Sequence, residues 1–277
     1  MVVVFPRLVA LIVPVLVAPG CCRTRWAAYY SDRVEPEALR DYRLLIFDSD
    51  RHPPLAPLAG KGRTVLGYLS LGEVNQHREY FAGLQNAGAL AGENPNWPGS
   101  YYVDVRDTGW RELVVRQLVP AILAQGFHGL FLDTLDDPAE LERRDPNGCR
   151  GMTAAAADLV KALRAHYPSI PLMMNRGYEL LPQLANHIDI ELGESLYSTY
   201  DFGRKSYGLV KGQDYKEQVG RLKEAKRRNP HLRIFSLDYW DPSDRRGIRR
   251  IYREERANGF EPYVATIGLD QIVKEPR

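Results

Sequence analysis

Short apolar runs that close on an acidic residue recur along this chain. They are LLIFD (Leu44–Asp48), VLGYLSLGE (Val65–Glu73), GLFLD (Gly129–Asp133), IDIELGE (Ile188–Glu194) and IFSLD (Ile234–Asp238). Runs this short, bounded by Gly, Pro or Asp, read as strands of a parallel sheet covered on both faces. Eight segments fit that description: Trp26–Ser31, Leu44–Asp48, Thr64–Ser70, His128–Asp133, Pro171–Asn175, Ile188–Glu191, Arg233–Leu237 and Pro262–Thr266. Helical periods fall between them. Trp110, Leu113, Val114, Leu118 and Ile122 recur at helical spacing ahead of Gly126. Met152, Ala156, Leu159, Val160 and Leu163 do so ahead of Tyr167-Pro168, and Ile248, Ile251, Tyr252 and Glu255 ahead of Gly259. Eight strands alternating with helices predict an α/β fold, a single-domain (β/α)8 TIM barrel.

The acids at the strand ends carry the chemistry. A carboxylate just past a buried strand is costly to desolvate unless it has a partner or a task. One such residue is explained by a helix cap. Five of them predict strands that end on a common rim, the face on which such a barrel builds its site. Gln85–Tyr102 (QNAGALAGENPNWPGSYY) breaks the alternation after the third strand. An insertion there belongs to the same rim, and Trp97, Tyr101 and Tyr102 make it aromatic.

Paired carboxylates are the equipment of glycoside hydrolysis, one as acid and one as nucleophile or base. Asp133 and Glu194 follow the fourth and sixth strands, whose ends converge over the barrel centre. Glu191 competes for the second role, but Gly193 lets the backbone turn and present Glu194. Tyr30, Tyr68, Tyr178, Tyr197, Tyr200, Tyr239 and Trp240 all fall at or just after strand ends. Their flat faces suit sugar C–H groups and their edges offer a hydrogen bond. His52, His77 and His128 lack any metal-ligand spacing, so neither a metal nor another cofactor is expected.

Composition removes some partners. A net charge of +2 makes no case for nucleic acid or an anionic membrane surface. The basic stretch Lys223–Arg233 reads as the solvated C-terminal end of a helix. The first twenty residues form a separate pattern. Arg7 precedes the apolar run Leu8–Ala18, then Pro19, Gly20 and Cys21, the layout of a secretory signal. We therefore expect a signal peptide over 1–21 and the barrel over 22–277, with a secreted or cell-envelope location. Gly20-Cys21 also matches the end of a bacterial lipoprotein signal, although Ala18 stands where Leu is usual; lipid attachment to a membrane through Cys21 is one expected outcome. Besides Cys21 and Cys22 the only cysteine is Cys149, which excludes a disulfide framework.

WAAYYS (Trp26–Ser31), YLSLGEVNQHREYF (Tyr68–Phe81), GFHGLFLDTLD (Gly126–Asp136), NRGYELL (Asn175–Leu181), ESLYS (Glu194–Ser198) and LDYWDP (Leu237–Pro242) together resemble glycoside hydrolase family 114, which includes the endo-α-1,4-polygalactosaminidases. The resemblance spans about residues 26 to 270 and implies a (β/α)8 barrel that cleaves a galactosamine-containing exopolysaccharide. It implies Asp133 and Glu194 as the catalytic pair, and Asp48, Glu73, Asn175 and Asp238 as polar groups touching substrate. Asp104 joins these acids on a rim that would attract a polymer with free amines. Tyr30, Tyr68, Tyr197 and Tyr239 are the aromatic substrate-binding candidates. Two other activities fit the same rim: a non-catalytic polysaccharide-binding lipoprotein, and a Mg-dependent barrel enzyme. Retention versus inversion, and which acid donates the proton, stay open at this level.

Overall fold

The computed structural model describes residues 24–34, 36–58, 60 and 62–277, so the expected signal peptide and Cys21 lie outside the described residues. The described strands are β1 (Trp26–Tyr29), β2 (Leu44–Asp48), β3 (Thr64–Ser70), β4 (Glu73–Asn75), β5 (Leu90–Glu93), β6 (Ser100–Val103), β7 (Gly129–Asp133), β8 (Leu172–Asn175), β9 (Ile190–Glu194), β10 (Ser198–Asp201), β11 (Ser206–Leu209), β12 (Arg233–Tyr239) and β13 (Glu261–Ala265). Eight of them form one sheet in the order β1-β2-β3-β7-β8-β9-β12-β13, each neighbouring pair parallel. Helices such as Met152–His166, Gly212–Arg228 and Arg245–Ala257 fill the crossovers. This is the expected (β/α)8 barrel. Among the described residues no helix is long and apolar enough to cross a membrane.

The sheet curls until its two edge strands meet, and side chains close the seam. Trp26 Nε1 donates to the Glu261 carbonyl at 2.9 Å, and Thr24 N donates to the Glu261 carboxylate at 3.2 Å. Arg233 grips both Glu261 oxygens at 2.7 and 2.8 Å and donates to the Thr24 hydroxyl at 2.6 Å. A two-point guanidinium–carboxylate contact of this kind fixes geometry as well as charge. The buried Trp26 ring lies between Phe235 and Tyr263, at 5.2 and 5.4 Å. At the opposite end Tyr30 N reaches the Leu269 carbonyl at 2.7 Å.

Two small sheets leave the rim. Strands β4, β6 and β5 form an antiparallel sheet from the insertion after β3, and β10 pairs antiparallel with β11 as a hairpin after β9. The insertion is docked closely: a Cβ on Gly72 would lie 2.1 Å from the Thr134 carbonyl oxygen, so only glycine fits there. Most strand boundaries differ from expectation by one or two residues, and the shift of one strand bears on the site. The sixth barrel strand begins at Ile190 and runs to Glu194, rather than stopping at Glu191. Side chains alternate along a strand, so this shift decides which glutamate faces the barrel axis.

Candidate active site

The three central strand ends are joined by one amide. Asn175, the last residue of β8, donates from Nδ2 to Asp133 Oδ1 at 2.9 Å and to Glu194 Oε2 at 2.5 Å. An amide nitrogen carries two N–H groups, one for each acid. Those two bonds cap the distance between the two carboxylate oxygens at about 5.4 Å. Tyr239 at the end of β12 donates its hydroxyl to the other oxygen of Glu194 at 2.6 Å. Tyr68 donates to Asp133, and the ring of Tyr30 packs against it at 5.4 Å. Burial, and then the Asp133 charge, raises both of these hydroxyls, which keeps them protonated as donors.

Each of the three joined residues precedes a strained one. Thr134, Arg176 and Ser195 follow Asp133, Asn175 and Glu194, and all three have left-handed backbones with φ of 61°, 54° and 53°. Non-glycine residues adopt that conformation at a cost, so surrounding bonds must enforce it. They do: Thr134 Oγ1 accepts from Gly72 N at 2.8 Å, Arg176 N donates to the Leu192 carbonyl at 2.9 Å, and Ser195 N to the Leu237 carbonyl at 2.8 Å. The chain turns sharply at each strand end and leaves the preceding side chain aimed at the axis.

Burial pushes the Asp133 carboxyl up to about 6, with the Glu194 charge as the second cause, while Asn175, the Thr134 backbone and Tyr68 pull it down. The two acids lie in a cleft of about 1290 Å³ whose walls carry nine carboxylates against four arginines, although the chain as a whole is slightly basic. Most of those arginines are engaged. Arg78 holds Asp48 at 2.9 Å and also pairs with Asp50, and Arg176 holds Asp136 at 3.2 Å. Asp137 carries no such partner. Burial, then the Glu73 charge, pushes its carboxyl well up.

Of the residues singled out in the sequence, Tyr30, Asp48, Tyr68, Glu73, Asp133, Asn175, Glu194 and Tyr239 line this cleft. Asp48 and Glu73 do so with their oxygens already used. Asp48 accepts from Asp50 N, Arg51 N and Arg78, and Glu73 accepts from Asn94 and Ser100, both at 2.5 Å. Three of the expected residues, Asp104, Tyr197 and Asp238, lie outside its lining. Asp104 is held by Arg106 at 2.7 and 2.8 Å and is outside the cleft lining. Tyr197 packs on Tyr215 at 5.3 Å and lies under Arg250. Asp238 is fully buried. It lies between Leu237 and Tyr239, which face the cleft, so alternation turns it toward the helices. There Oδ1 accepts from Tyr197 N at 2.8 Å and Ser198 N at 2.7 Å. Glu191 is likewise fully buried, and neither of its oxygens has a partner.

Arg78, Asp137 and Arg176 line the cleft without having been anticipated. The run FLDTLDD held a signal for Asp137, since its three acids crowd one strand end. Among the described residues no group of three or more His, Cys, Asp or Glu side chains is disposed to hold a metal ion.

A (β/α)8 barrel that brings two carboxylates together in an open cleft, at the carboxyl ends of its strands, has the layout of a glycoside hydrolase. Comparison with known proteins agrees. A sequence profile of glycoside-hydrolase family GH114 matches residues 17–277, and the chain belongs to that family. It superposes on the glycoside hydrolase domain of PelA from Pseudomonas aeruginosa with a TM-score of 0.78 and 27% identity, covering 91% of this chain and 98% of that one. Ega3 of Aspergillus fumigatus, in complex with galactosamine, shares the fold at a TM-score of 0.67 and 13% identity, over 91% of this chain and 94% of that one. An uncharacterized protein of Deinococcus radiodurans is 27% identical over 241 residues, 82% of this chain and 73% of its own.

Proposed function

We propose that this glycoside hydrolase cleaves an α-1,4-linked, galactosamine-containing exopolysaccharide with Asp133 and Glu194 as its catalytic residues and with retention of configuration. The bridge from Asn175 to both acids carries the proposal. Retaining enzymes place their two carboxyl groups about 5–5.5 Å apart, whereas inverting enzymes need about 6.5–9.5 Å to admit a water. A cap of about 5.4 Å between the bonded oxygens fits the narrower arrangement.

Asp133 is held by the Asn175 amide at 2.9 Å, which suits an ionised nucleophile that must not swing. Glu194 has the longer side chain and the Tyr239 hydroxyl on one oxygen, which suits the group that moves a proton. Glu194 protonates the glycosidic oxygen as Asp133 attacks the anomeric carbon. A covalent glycosyl–Asp133 ester forms and the leaving sugar takes the proton. Glu194 then removes a proton from water, which attacks the ester and frees the sugar and Asp133. The excess of carboxylates on the cleft walls attracts polymers with free, protonated amines.

Release of reducing ends from a partly deacetylated galactosamine polymer tests the proposal, and proton NMR of the first product gives the stereochemistry. An inverted anomer would overturn retention. Polymer binding that survives without any release of ends would favour a binding module. The export of the protein, and its lipid anchoring at Cys21, are part of the same proposal and rest on the residues before Cys22.

A further inference from the structure

Two of the strongly exposed apolar side chains among the described residues meet each other. Three large apolar side chains stand strongly exposed among the described residues: Trp97 at 52%, Phe202 at 55% and Leu209 at 49%. Trp97 belongs to the insertion between β5 and β6, while Phe202 follows β10 and Leu209 ends β11. The two excursions leave β3 and β9, which are separated in the sheet by β7 and β8. Their tips nevertheless touch, with the Trp97 and Phe202 ring centroids 5.2 Å apart and their planes at 81°. Phe202 continues to Tyr200 at 5.2 Å and Tyr200 to Tyr207 at 5.1 Å.

Trp97 is held firmly despite its exposure. Its backbone N–H donates to the Asn94 carbonyl at 3.1 Å and its carbonyl accepts from Ser100 N at 2.9 Å. Asn94 and Ser100 are in turn fixed by Glu73, so the loop is anchored to the floor of the insertion. An aromatic pair left open to water on an anchored loop gives up burial that its size would otherwise reward. Trp97 lines the same cleft as Asp133 and Glu194, whereas Phe202 lies beyond its lining. Edge-to-face rings leave flat faces open, and the C–H face of a pyranose stacks on such a surface.

We infer that Trp97 and Phe202 form an outer sugar-binding platform, which holds the polysaccharide beyond the cleavage site and extends the cleft across its rim. The inference rests on the polysaccharide-cleaving function proposed above. Neither ring approaches the two acids through any hydrogen bond, so the platform acts on binding of long chains and not on bond cleavage.

The test compares wild type with Trp97→Ala, Phe202→Ala and the conservative Trp97→Phe, on a soluble galactosamine polymer and on a short oligosaccharide of the same linkage. Each alanine variant should raise KM for the polymer by about tenfold, the scale of one lost stacking contact. It should leave kcat, and turnover of the short substrate, within about twofold of wild type, and Trp97→Phe should recover most of the polymer KM. Unchanged polymer KM in folded Trp97→Ala and Phe202→Ala would overturn the platform alone. A wild-type enzyme inactive on the polymer would remove the proposed substrate and the platform with it. Alanine variants that dissociate a dimer in sedimentation, without a change in KM, would assign the rings to a contact between copies and overturn the platform too.

Discussion

Replacing Asp238 separates two roles that its position in the sequence confuses. Its Oδ1 accepts from two buried N–H groups, Tyr197 and Ser198, in the turn that follows Glu194. Its Oδ2 has no hydrogen-bond partner, and its charge acts on the neighbouring Glu255. Asp238→Ala would strand both N–H groups. Each buried donor left unpaired costs about 1–3 kcal/mol, so the variant should lose roughly 2–6 kcal/mol. Asp238→Asn keeps an acceptor for both N–H groups and removes the carboxyl that repels Glu255, which should leave stability unchanged or raise it by about 1 kcal/mol. Burial, and for Glu255 the neighbouring Asp238 charge, holds both carboxyls above the ordinary range. Acids whose folded pKa is raised contribute stability that is complete below the ordinary carboxylate range near 4 and is lost as pH rises through neutrality. Wild type should therefore lose Tm from pH 5 to pH 8, and Asp238→Asn should flatten that slope. Urea denaturation at both pH values, with kcat measured alongside, reads all of this. If Asp238→Asn folds normally yet loses about a hundredfold in kcat, Asp238 touches substrate and the positioning role derived from its bonds is wrong.

Asp133→Asn and Glu194→Gln should each lower turnover of the galactosamine polymer by at least about a hundredfold with little change in Tm, and normal activity in both variants would end the two-carboxylate mechanism. Activity should fall as pH drops below about 6, because Asp133 must be ionised to attack; a pH–rate profile with no acid limb there would contradict that role. Glu191→Gln should be nearly as active as wild type. Glu191→Met should gain roughly 1–2 kcal/mol, more at pH 9 than at pH 5, since burial alone keeps the unpartnered Glu191 protonated; a loss of stability on urea denaturation would show a hidden partner. Mass spectrometry of the native protein should find a mature chain that begins near Cys21 or Cys22, whereas an intact Met1 terminus would refute export.

The barrel was legible because buried parallel strands advertise themselves as short apolar runs, and the catalytic candidates because acids end those runs. What that rule lacks is facing. Asp133 and Asp238 each follow a Leu near the end of an apolar run, yet β12 continues to Tyr239 and so directs Asp238 away from the axis. Glu191 and Glu194 lie three residues apart and point to opposite sides, a parity set by where β9 starts. Asp104 is one more acid by composition, but Arg106, two residues on, pairs with it outside the cleft lining. The bridge at Asn175 depends on three strands meeting in space, and no local pattern encodes it. The left-handed turns at Thr134, Arg176 and Ser195 carry no sequence mark, since none uses glycine.

The seam at the amino-terminal edge of the barrel also sets an orientation. Thr24 is pinned to Glu261 and Arg233 where β12 and β13 begin, at the end of the barrel opposite the cleft. Anything attached ahead of Thr24 therefore enters from the underside. Whatever joins the chain at Thr24 does so at the base, and the cleft stays open at the other end to a long polymer.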